Sequence, residues 1–331
     1  MRAGRPCWFF GIVLVSGFVF LRGFSLGDFL SEDFEKFGVS MMNIASAIRP
    51  PAVAGLFYPD DPIALREMVG GFLRGTAGNG RVKEDPAWRD SIGSNPSRGL
   101  PKAIIAPHAG FIYSGPIAAS VYGRIARAEM AARIRRVVLL GPSHHIPFRG
   151  VAATSAGFYG TPLGDIGLDG AAITRIADLP QVTILDEAHL PEHSLEVHLP
   201  FLREVLDDFM LVPLVVGETP PAEVAEILER LWGGGDTLIV VSTDLSHYLT
   251  YDQAREQDDG TARAIEALDT ATIDPRDACG RNPINGLLHV AKQRGMQVER
   301  LDLRNSGDTA GDKRRVVGYG AWAFFESEET S

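Results

Sequence analysis

Histidines follow three short apolar segments of the chain, each in a turn that comes directly after the segment. His108 follows KAIIA in PHAGFIYSG, His144 and His145 follow RRVVLL in GPSHH, and Asp244 and His247 follow TLIVV in STDLSHY. Imidazole is a common metal ligand in proteins and the usual acid or base near neutral pH. These residue types at these places therefore point to metal binding or to proton transfer.

A single histidine at the end of a strand is more often a hydrogen-bonded structural residue than a ligand. Three such turns together favour one shared site, provided that the three segments are neighbouring strands. In GPSHH we expect only one of the adjacent pair to face the site, while the other orients the loop. Asp244 either caps a turn through backbone N–H groups or, three residues before His247, holds the tautomer of that imidazole.

A second segment, EAHLPEHSLEVHLPFL, alternates imidazoles with carboxylates, namely His189, His193, His198, Glu187, Glu192 and Glu196. It lacks the HExxH spacing that places two imidazoles one helical turn apart, which disfavours a zincin protease. We expect His198 to pack in the core and the glutamates to be solvated. His193 is predicted either to line the site or to cap a helix.

Cys279 lies in DACGRNPINGLL, just before a predicted helix, and the only other cysteine is Cys7. One interpretation makes Cys279 a small buried side chain. Another makes it a metal ligand, since the N-terminus of a helix lowers the pKa of a thiol and favours the thiolate. A nucleophilic pair of Cys279 with a histidine is a third and weaker interpretation. Two cysteines exclude a disulfide framework.

The segments that must position these residues alternate between strand and helix patterns. Buried strands are predicted for the β-branched runs at 102–106, 135–140, 210–216 and 237–242. Helices are predicted at about 63–74, 116–131, 194–207, 221–232, 253–268 and 283–294, and two further strands follow the last helix. This alternation predicts a single α/β layered domain with a central, largely parallel sheet flanked by helices. Ligands bind beyond the carboxyl ends of the strands in such sheets, so the histidines should converge on one edge.

The first 41 residues differ from the rest of the chain. Arg2 and Arg5 precede an uncharged apolar run that is somewhat short for a membrane-spanning helix. This run indicates either a secretory signal or a translation start placed too far upstream of the methionines at 41 and 42. We predict an N-terminal appendage at 1–41 and an α/β domain at 42–327. The upstream-start interpretation implies a cytoplasmic protein, and the signal interpretation implies an exported or membrane-anchored one.

The composition excludes several classes of function. The 331 residues include 42 acidic and 32 basic side chains, which give a net charge of -10. A nucleic-acid or anionic-membrane partner is not expected, because phosphate binding needs a basic surface. The chain contains no GxGxxG, GxxxxGK[ST] or GxSxG motif, so nucleotide binding and the α/β-hydrolase nucleophile lack their signatures.

Seven motifs, in this order, resemble those of the Memo family, whose prokaryotic members are called AmmeMemoRadiSam system protein B. They are PPAVAGLFYP, PHAGFIYSG, GPSHH, EHSLEVHLPFL, STDLSHY, CGRNPI and NSGDTAGDKRRVVGYGAWAF. The resemblance runs from about Arg49 to Phe325 and does not cover residues 1–41. It implies a fold similar to the catalytic subunit of class III extradiol dioxygenases, which are non-haem iron enzymes that open catechol rings. It also implies a pocket that can take a metal.

The resemblance further implies roles for individual residues. His108, His144 and Cys279 match the metal-contacting positions of the family, and His247 matches the place of the catalytic base in the ring-cleaving dioxygenases. Those enzymes hold Fe(II) with two histidines and a carboxylate, whereas the third position here is a thiol. Because soft sulfur shifts the preference towards copper or zinc, the expected metal is iron or copper, with zinc as a further candidate.

Two functions from different classes follow. The first is a redox-active or dioxygenase-like metalloprotein with a catalytic group formed by His247, Asp244 and His193. The second is a non-catalytic binding module that uses an inherited dioxygenase-type fold to recognise a peptide or a small molecule in its cleft. The name of the prokaryotic family implies association with an AMMECR-type domain protein and a radical-SAM protein, which suits either function.

Overall fold

The computed structural model describes residues 47–75, 99–128 and 131–326. The apolar run and the appendage predicted at 1–41 lie outside these residues, so the domain division stays a prediction. Within the described ranges, no helix combines the length and the apolar character needed to cross a bilayer.

The described residues form short strands and helices in alternation. The strands are β1 (Ile48–Arg49), β2 (Ala103–Ala106), β3 (Arg136–Pro142), β4 (Val151–Ala153), β5 (Phe158–Tyr159), β6 (Ile166–Gly167), β7 (Val182–Ile184), β8 (Met210–Val216), β9 (Thr237–Ser242), β10 (His247–Leu249), β11 (Gln297–Asn305) and β12 (Val316–Phe325). The α-helices are α1 (Pro62–Arg74), α2 (Phe111–Ala126), α3 (Gly170–Thr174), α4 (Asp186–His189), α5 (Leu199–Val205), α6 (Pro221–Leu231), α7 (Tyr251–Glu266) and α8 (Arg281–Gln293). Short 3-10 turns are formed by Ala131–Arg133, Glu196–His198 and Ser306–Asp308.

One mixed sheet dominates the fold. Its strand order is β10-β12-β2-β9-β3-β8-β4-β7, and β11 also pairs with β12. The central strands β2, β9, β3 and β8 pair in parallel. Strands β10, β11 and β2 run antiparallel to β12, and β4 runs antiparallel to β8. The α/β fold class predicted from the sequence is therefore confirmed, with the parallel pairing concentrated at the centre of the sheet.

Alternate residues of the central strands face two different apolar clusters. In β2, Ile104 packs in a cluster that includes Leu65 of α1 and Phe201 of α5. The next residue, Ile105, packs in the cluster that includes Leu228 of α6 and Leu287 of α8. Because both faces are covered, every position of such a strand gains from an apolar side chain, which explains the unbroken β-branched runs in the sequence.

The strand predictions at 102–106, 135–140, 210–216 and 237–242 are confirmed by β2, β3, β8 and β9. Two helix predictions differ from the structure. Helix α2 begins at Phe111 instead of near residue 116, and Pro116 is accommodated inside it at the loss of one backbone hydrogen bond. The segment 194–207 is a 3-10 turn followed by the shorter helix α5. The chain before Glu196 forms no helical turn, because Ser194 is hydrogen-bonded to Pro142 and Ser242 at the ends of β3 and β9.

A buried carboxylate ties the first described residues to the histidine-rich segment. Glu196 forms an ion pair with Arg49, and both side chains are almost fully buried. The carboxylate also accepts hydrogen bonds from the backbone nitrogen of Val53 at 2.9 Å and from the hydroxyl of Tyr58 at 2.6 Å. We call residues 47–58 the entry segment. Glu196 thus fixes the entry segment against the residues that follow His193.

Removal of the Glu196 charge tests this ion pair. Glu196→Gln should lower the free energy of unfolding by about 3 kcal/mol or more, because the guanidinium of Arg49 stays buried without its charged partner. Urea unfolding measures the change. Glu229→Gln is the control, since Glu229 pairs with Arg294 and both of these side chains are more than a third exposed. This substitution should lower the free energy of unfolding by less than about 1 kcal/mol. Equal costs for the two variants would contradict the role given to the buried pair.

Candidate metal centre

The three predicted histidine turns meet at one edge of the sheet because their strands are neighbours. Strands β2 and β3 each pair in parallel with β9. These strands end at Ala106, Pro142 and Ser242, and all three residues are buried. The turns that follow therefore bring His108 and His144 to the same edge of the sheet, as the pattern of strand ends predicts.

Three imidazoles form the centre of the site. His108, His144 and His193 each offer one ligand atom, and these atoms lie within 4.8 Å of one another. The ring centroids of His144 and His193 are 4.6 Å apart, and that of His108 lies 5.1 Å and 5.5 Å from them. His108 is buried, whereas the side chains of His144 and His193 are 28% and 17% exposed. This imidazole cluster could hold a metal ion that reaches it from solvent.

Two buried serines fix the ring of His108. The hydroxyl of Ser242 donates its single hydrogen to the carbonyl oxygen of Ser194 at 2.6 Å. Its oxygen is 2.6 Å from Nδ1 of His108 and must therefore accept the proton on that nitrogen. This leaves Nε2 of His108 with a free electron pair, which is the form that binds a metal.

The carboxylate of Glu192 fixes the ring of His144 in the same way. Oε1 of Glu192 accepts from Nδ1 of His144 at 2.8 Å, and Oε2 accepts from the backbone nitrogen of His144 at 2.6 Å. Burial raises the pKa of this carboxyl, but the hydrogen bonds and charge of His144 and a backbone bond from Ser194 lower it to about 2. Glu192 therefore stays ionised and leaves Nε2 of His144 free to bind a metal.

His193 lies in a loop and does not begin a helix. The loop crosses the ends of β3 and β9, where the hydroxyl of Ser194 donates to the carbonyl of Pro142 at 2.8 Å. Gly141 allows this approach, because a Cβ at that position would lie 2.7 Å from the Ser194 hydroxyl. The ring of Phe57, in the entry segment, packs 4.9 Å from the ring of His193. His193 thus lines the site through loop contacts.

Burial keeps the imidazoles of His108 and His193 unprotonated. It lowers the pKa of His193 to about 4, against the opposing charge of Glu192. Burial also lowers the pKa of His108 well below its usual value, and the neighbouring imidazoles add to this effect. Both rings are therefore neutral at pH 7, so an ion would not have to displace protons from them.

Cys279 reaches the cluster from the turn before α8. Its Sγ is 3.4 Å from Nε2 of His108 and 3.2 Å from the backbone nitrogen of Asp244. Two ligands of one tetrahedral ion, nitrogen at about 2.1 Å and sulfur at about 2.3 Å, are roughly 3.6 Å apart. Nε2 and Sγ are therefore spaced so that both could bind the same ion.

The expectation that a helix N-terminus lowers the pKa of Cys279 is wrong. Burial raises the pKa of this thiol to about 12, and the nearby carboxylate of Asp244 raises it further. The metal-free side chain is a neutral thiol that can donate to Nε2 of His108. An ion that bound sulfur would have to displace this proton.

Asp244 contacts one member of the imidazole cluster, His108. Its Oδ1 accepts from the backbone nitrogen of His108 at 2.8 Å, and its Oδ2 lies 4.0 Å from Nε2 of that residue. Burial raises the pKa of Asp244 to about 7, against the hydrogen bond from His108. Asp244 can therefore either hold or release a proton near neutral pH.

His247 and His145 lie outside the imidazole cluster. His247 is exposed at the start of β10, and partial desolvation together with the charge of His144 lowers its pKa. His145 is also exposed, with its ring 6.1 Å from that of His193. The roles predicted for His247, Asp244 and His193 in proton transfer stay predictions.

The other histidines of the second segment support the fold. His198 is buried, as expected, and its Nδ1 is 2.9 Å from the hydroxyl of Tyr122. His189 bonds through one ring nitrogen to the Tyr159 hydroxyl at 2.5 Å and through the other to the Ala152 carbonyl at 3.0 Å. Neither ring joins the imidazole cluster.

Sequence reasoning missed the residues that orient the ligands. The expectation that the glutamates are solvated is wrong for Glu192 and Glu196, which are 1% and 0% exposed. Each is buried because several donors satisfy its oxygens. Two features of the sequence could have indicated these orienting residues. Glu192 directly precedes His193, and Ser242 is the last residue of a strand that leads into the site.

Glu192→Gln tests the orienting role of this carboxylate. We expect the affinity for Zn²⁺, measured by competition with a chelator, to fall about 10- to 100-fold, because the neutral amide holds the His144 ring less firmly. Glu187→Gln is the matched control, since Glu187 is an exposed glutamate of the same segment. The role of Glu192 would be refuted if both variants bound Zn²⁺ as tightly as the parent.

Comparison with known proteins identifies the family. The family model for Memo-like proteins matches residues 49–323. A MEMO1 family protein of Metallosphaera sedula is 35% identical over 290 residues, which are 83% of this chain and 99% of the relative. A MEMO1 family protein of Aquifex aeolicus is 36% identical over 284 residues, which are 82% of this chain and 97% of the relative. The chain therefore belongs to the Memo family, as its ordered motifs predicted.

Proposed function

We propose that the protein binds one transition-metal ion at the imidazole cluster, and that the ion is iron or copper, with zinc as a further candidate. The observation that carries this proposal is the set of three ligand atoms, from His108, His144 and His193, within 4.8 Å of one another. Family membership supports a Memo-like protein, and the geometry supports a metal site within it.

The donor set fits this class of metal. Neutral imidazole suits zinc, copper and iron, and a thiolate adds a soft donor that favours copper or zinc. In the sequence-based hypothesis, His108, His144 and Cys279 are the ligands. The geometry makes His193 a further candidate, with Cys279 spaced to share the ion with His108.

A bound iron or copper ion would supply one-electron redox chemistry beside this pocket. The protein itself would supply proton transfer. Asp244, with a pKa of about 7, is placed to hold a proton 4.0 Å from the His108 ring. His247, exposed at the start of β10, is placed to exchange protons with solvent. We propose these two residues as the groups that move protons in a redox or dioxygenase-like reaction.

Metal analysis of anaerobically purified protein tests the proposal. We expect about one iron or copper per chain in the parent. His108→Ala and His144→Ala should lose most of that metal, because each removes a ligand whose other nitrogen is already fixed. His145→Ala is the control, since this exposed neighbour lies outside the cluster. A parent without bound metal, or undiminished metal in the two ligand variants, would remove the proposal.

The pH dependence of binding tests whether Cys279 is a ligand. Because its thiol has a pKa of about 12, thiolate binding must release a proton, so affinity should rise about tenfold per pH unit. Co²⁺ affinity should therefore rise more steeply with pH in the parent than in Cys279→Ser, by about one proton per ion between about pH 5 and 6.5. A thiolate-to-cobalt absorption should accompany it in the parent alone. Identical slopes and spectra would leave the ion with imidazole ligands only.

A second candidate function is non-catalytic recognition of a small molecule or a peptide. A cleft of about 570 Å³, lined by Ala109, Tyr113 and Tyr319 among others, favours it. Association with an AMMECR-type domain protein and a radical-SAM protein is also a proposal, supported by the family resemblance. Absence of metal in the analysis above would favour the recognition function over the redox function.

A further inference from the structure

The histidines around the candidate metal centre differ in their access to solvent. The side chain of His108 is 2% exposed, whereas those of His193 and His144 are 17% and 28% exposed. His145, which follows His144 in the chain, is an exposed residue outside the imidazole cluster. These imidazoles therefore form a series that leads from the surface, at His145, to the interior, at His108.

The rings of this series lie close to one another. The ring of His145 is 6.1 Å from that of His193, centroid to centroid. The ring of His193 is in turn 5.5 Å from that of His108. Two imidazoles on one tetrahedral ion have their centroids roughly 5 Å apart, because each nitrogen lies about 2.1 Å from the ion. The separation of His145 and His193 is only slightly wider, so a small movement of the exposed ring would let both bind the same ion.

The ring of His145 does not hold the turn that carries it. Its nitrogens form no hydrogen bond or ion pair with the residues that the structure describes. Other groups fix the turn, since the hydroxyl of Ser143 donates to the carbonyl of Ile146 at 2.6 Å. The backbone nitrogen of Ser143 also donates to the carbonyl of Val216 at 3.2 Å. The imidazole of His145 is therefore available as a ligand without any cost to the turn.

We propose that His145 captures a metal ion from solvent and passes it, through His193, to the imidazole cluster. The inference rests on the proposed function, since it concerns how the ion reaches that site. A hydrated ion gives up one water for each protein ligand that it gains. His108 lies too deep to begin this exchange, whereas His145 can bind the ion while its remaining waters stay in solvent. The net charge of -10 attracts cations to the surface, where His145 is the first imidazole of the series.

A residue that acts only on the entry path changes rates and leaves the affinity unchanged. His145 does not bind the ion in its final site, so it lowers the barrier to entry and the barrier to release by the same amount. Both rate constants therefore depend on His145, while their ratio, the Kd, does not. This agrees with the unchanged metal content expected for His145→Ala, and it differs from Glu192→Gln, which should lower the affinity itself.

Stopped-flow measurements with Co²⁺ test the inference, because the visible absorption of this ion reports its ligands. Mixing Co²⁺ with metal-free protein gives the rate constant of association, and mixing loaded protein with excess EDTA gives that of release. His145→Asn keeps a polar side chain of similar size that is a poor ligand for these metals. We expect it to lower both rate constants about tenfold and to change the Kd less than about twofold. His145→Cys, which restores a ligand, should recover much of both rates.

His289→Asn is the matched control, since it removes a histidine of α8 whose ring nitrogen is 3.0 Å from the amide of Gln293. The inference is overturned if His145→Asn keeps the parent rates, if His289→Asn slows both rates equally, or if His145→Cys is as slow as His145→Asn. A weaker affinity and an altered spectrum in His145→Asn would also overturn it, because His145 would then be a ligand of the final site. A parent that binds no Co²⁺ removes the proposed function and this inference together. Binding at rates that ignore His145 removes this inference alone.

Discussion

The site depends on one constraint, the parallel pairing of β2, β9 and β3 in register. Parallel neighbours end at the same edge of a sheet, so the three turns that follow these strands must share a small volume. The strands themselves are fixed by apolar side chains on both faces, which leaves little freedom to slip. The most hydrophobic part of the protein thus determines where its most polar residues meet.

Buried polar groups convert this proximity into a defined set of ring orientations. Ser242 sets the tautomer of His108, and Glu192 sets that of His144. Neither group is costly to bury here, because each has its hydrogen bonds satisfied inside the protein. Glu196 has a comparable role farther from the imidazole cluster. It binds the entry segment, which places Phe57 against His193.

Most of the fold was predictable from sequence, because strands buried on both faces leave unbroken apolar runs, as in β3 and β9. The convergence of His108 and His144 followed from the ends of those runs. The burial of Glu192 could not be predicted, since it depends on donors supplied by residues far along the chain. The pKa of Cys279 was equally inaccessible, because burial and the charge of Asp244 outweigh the helix N-terminus that the sequence displays.

The hydrogen bonds that Ser242 and Glu192 accept from the histidine rings have a further consequence for how the protein binds and releases an ion. Small zinc modules collapse when the metal leaves, because the ion itself organises their ligands. Here the polypeptide alone aligns the rings, so binding and release of a metal ion would leave the fold intact. The fraction of protein with a bound ion would then follow the concentration of free ions around the folded protein. The same chain could also exchange one ion for another without refolding.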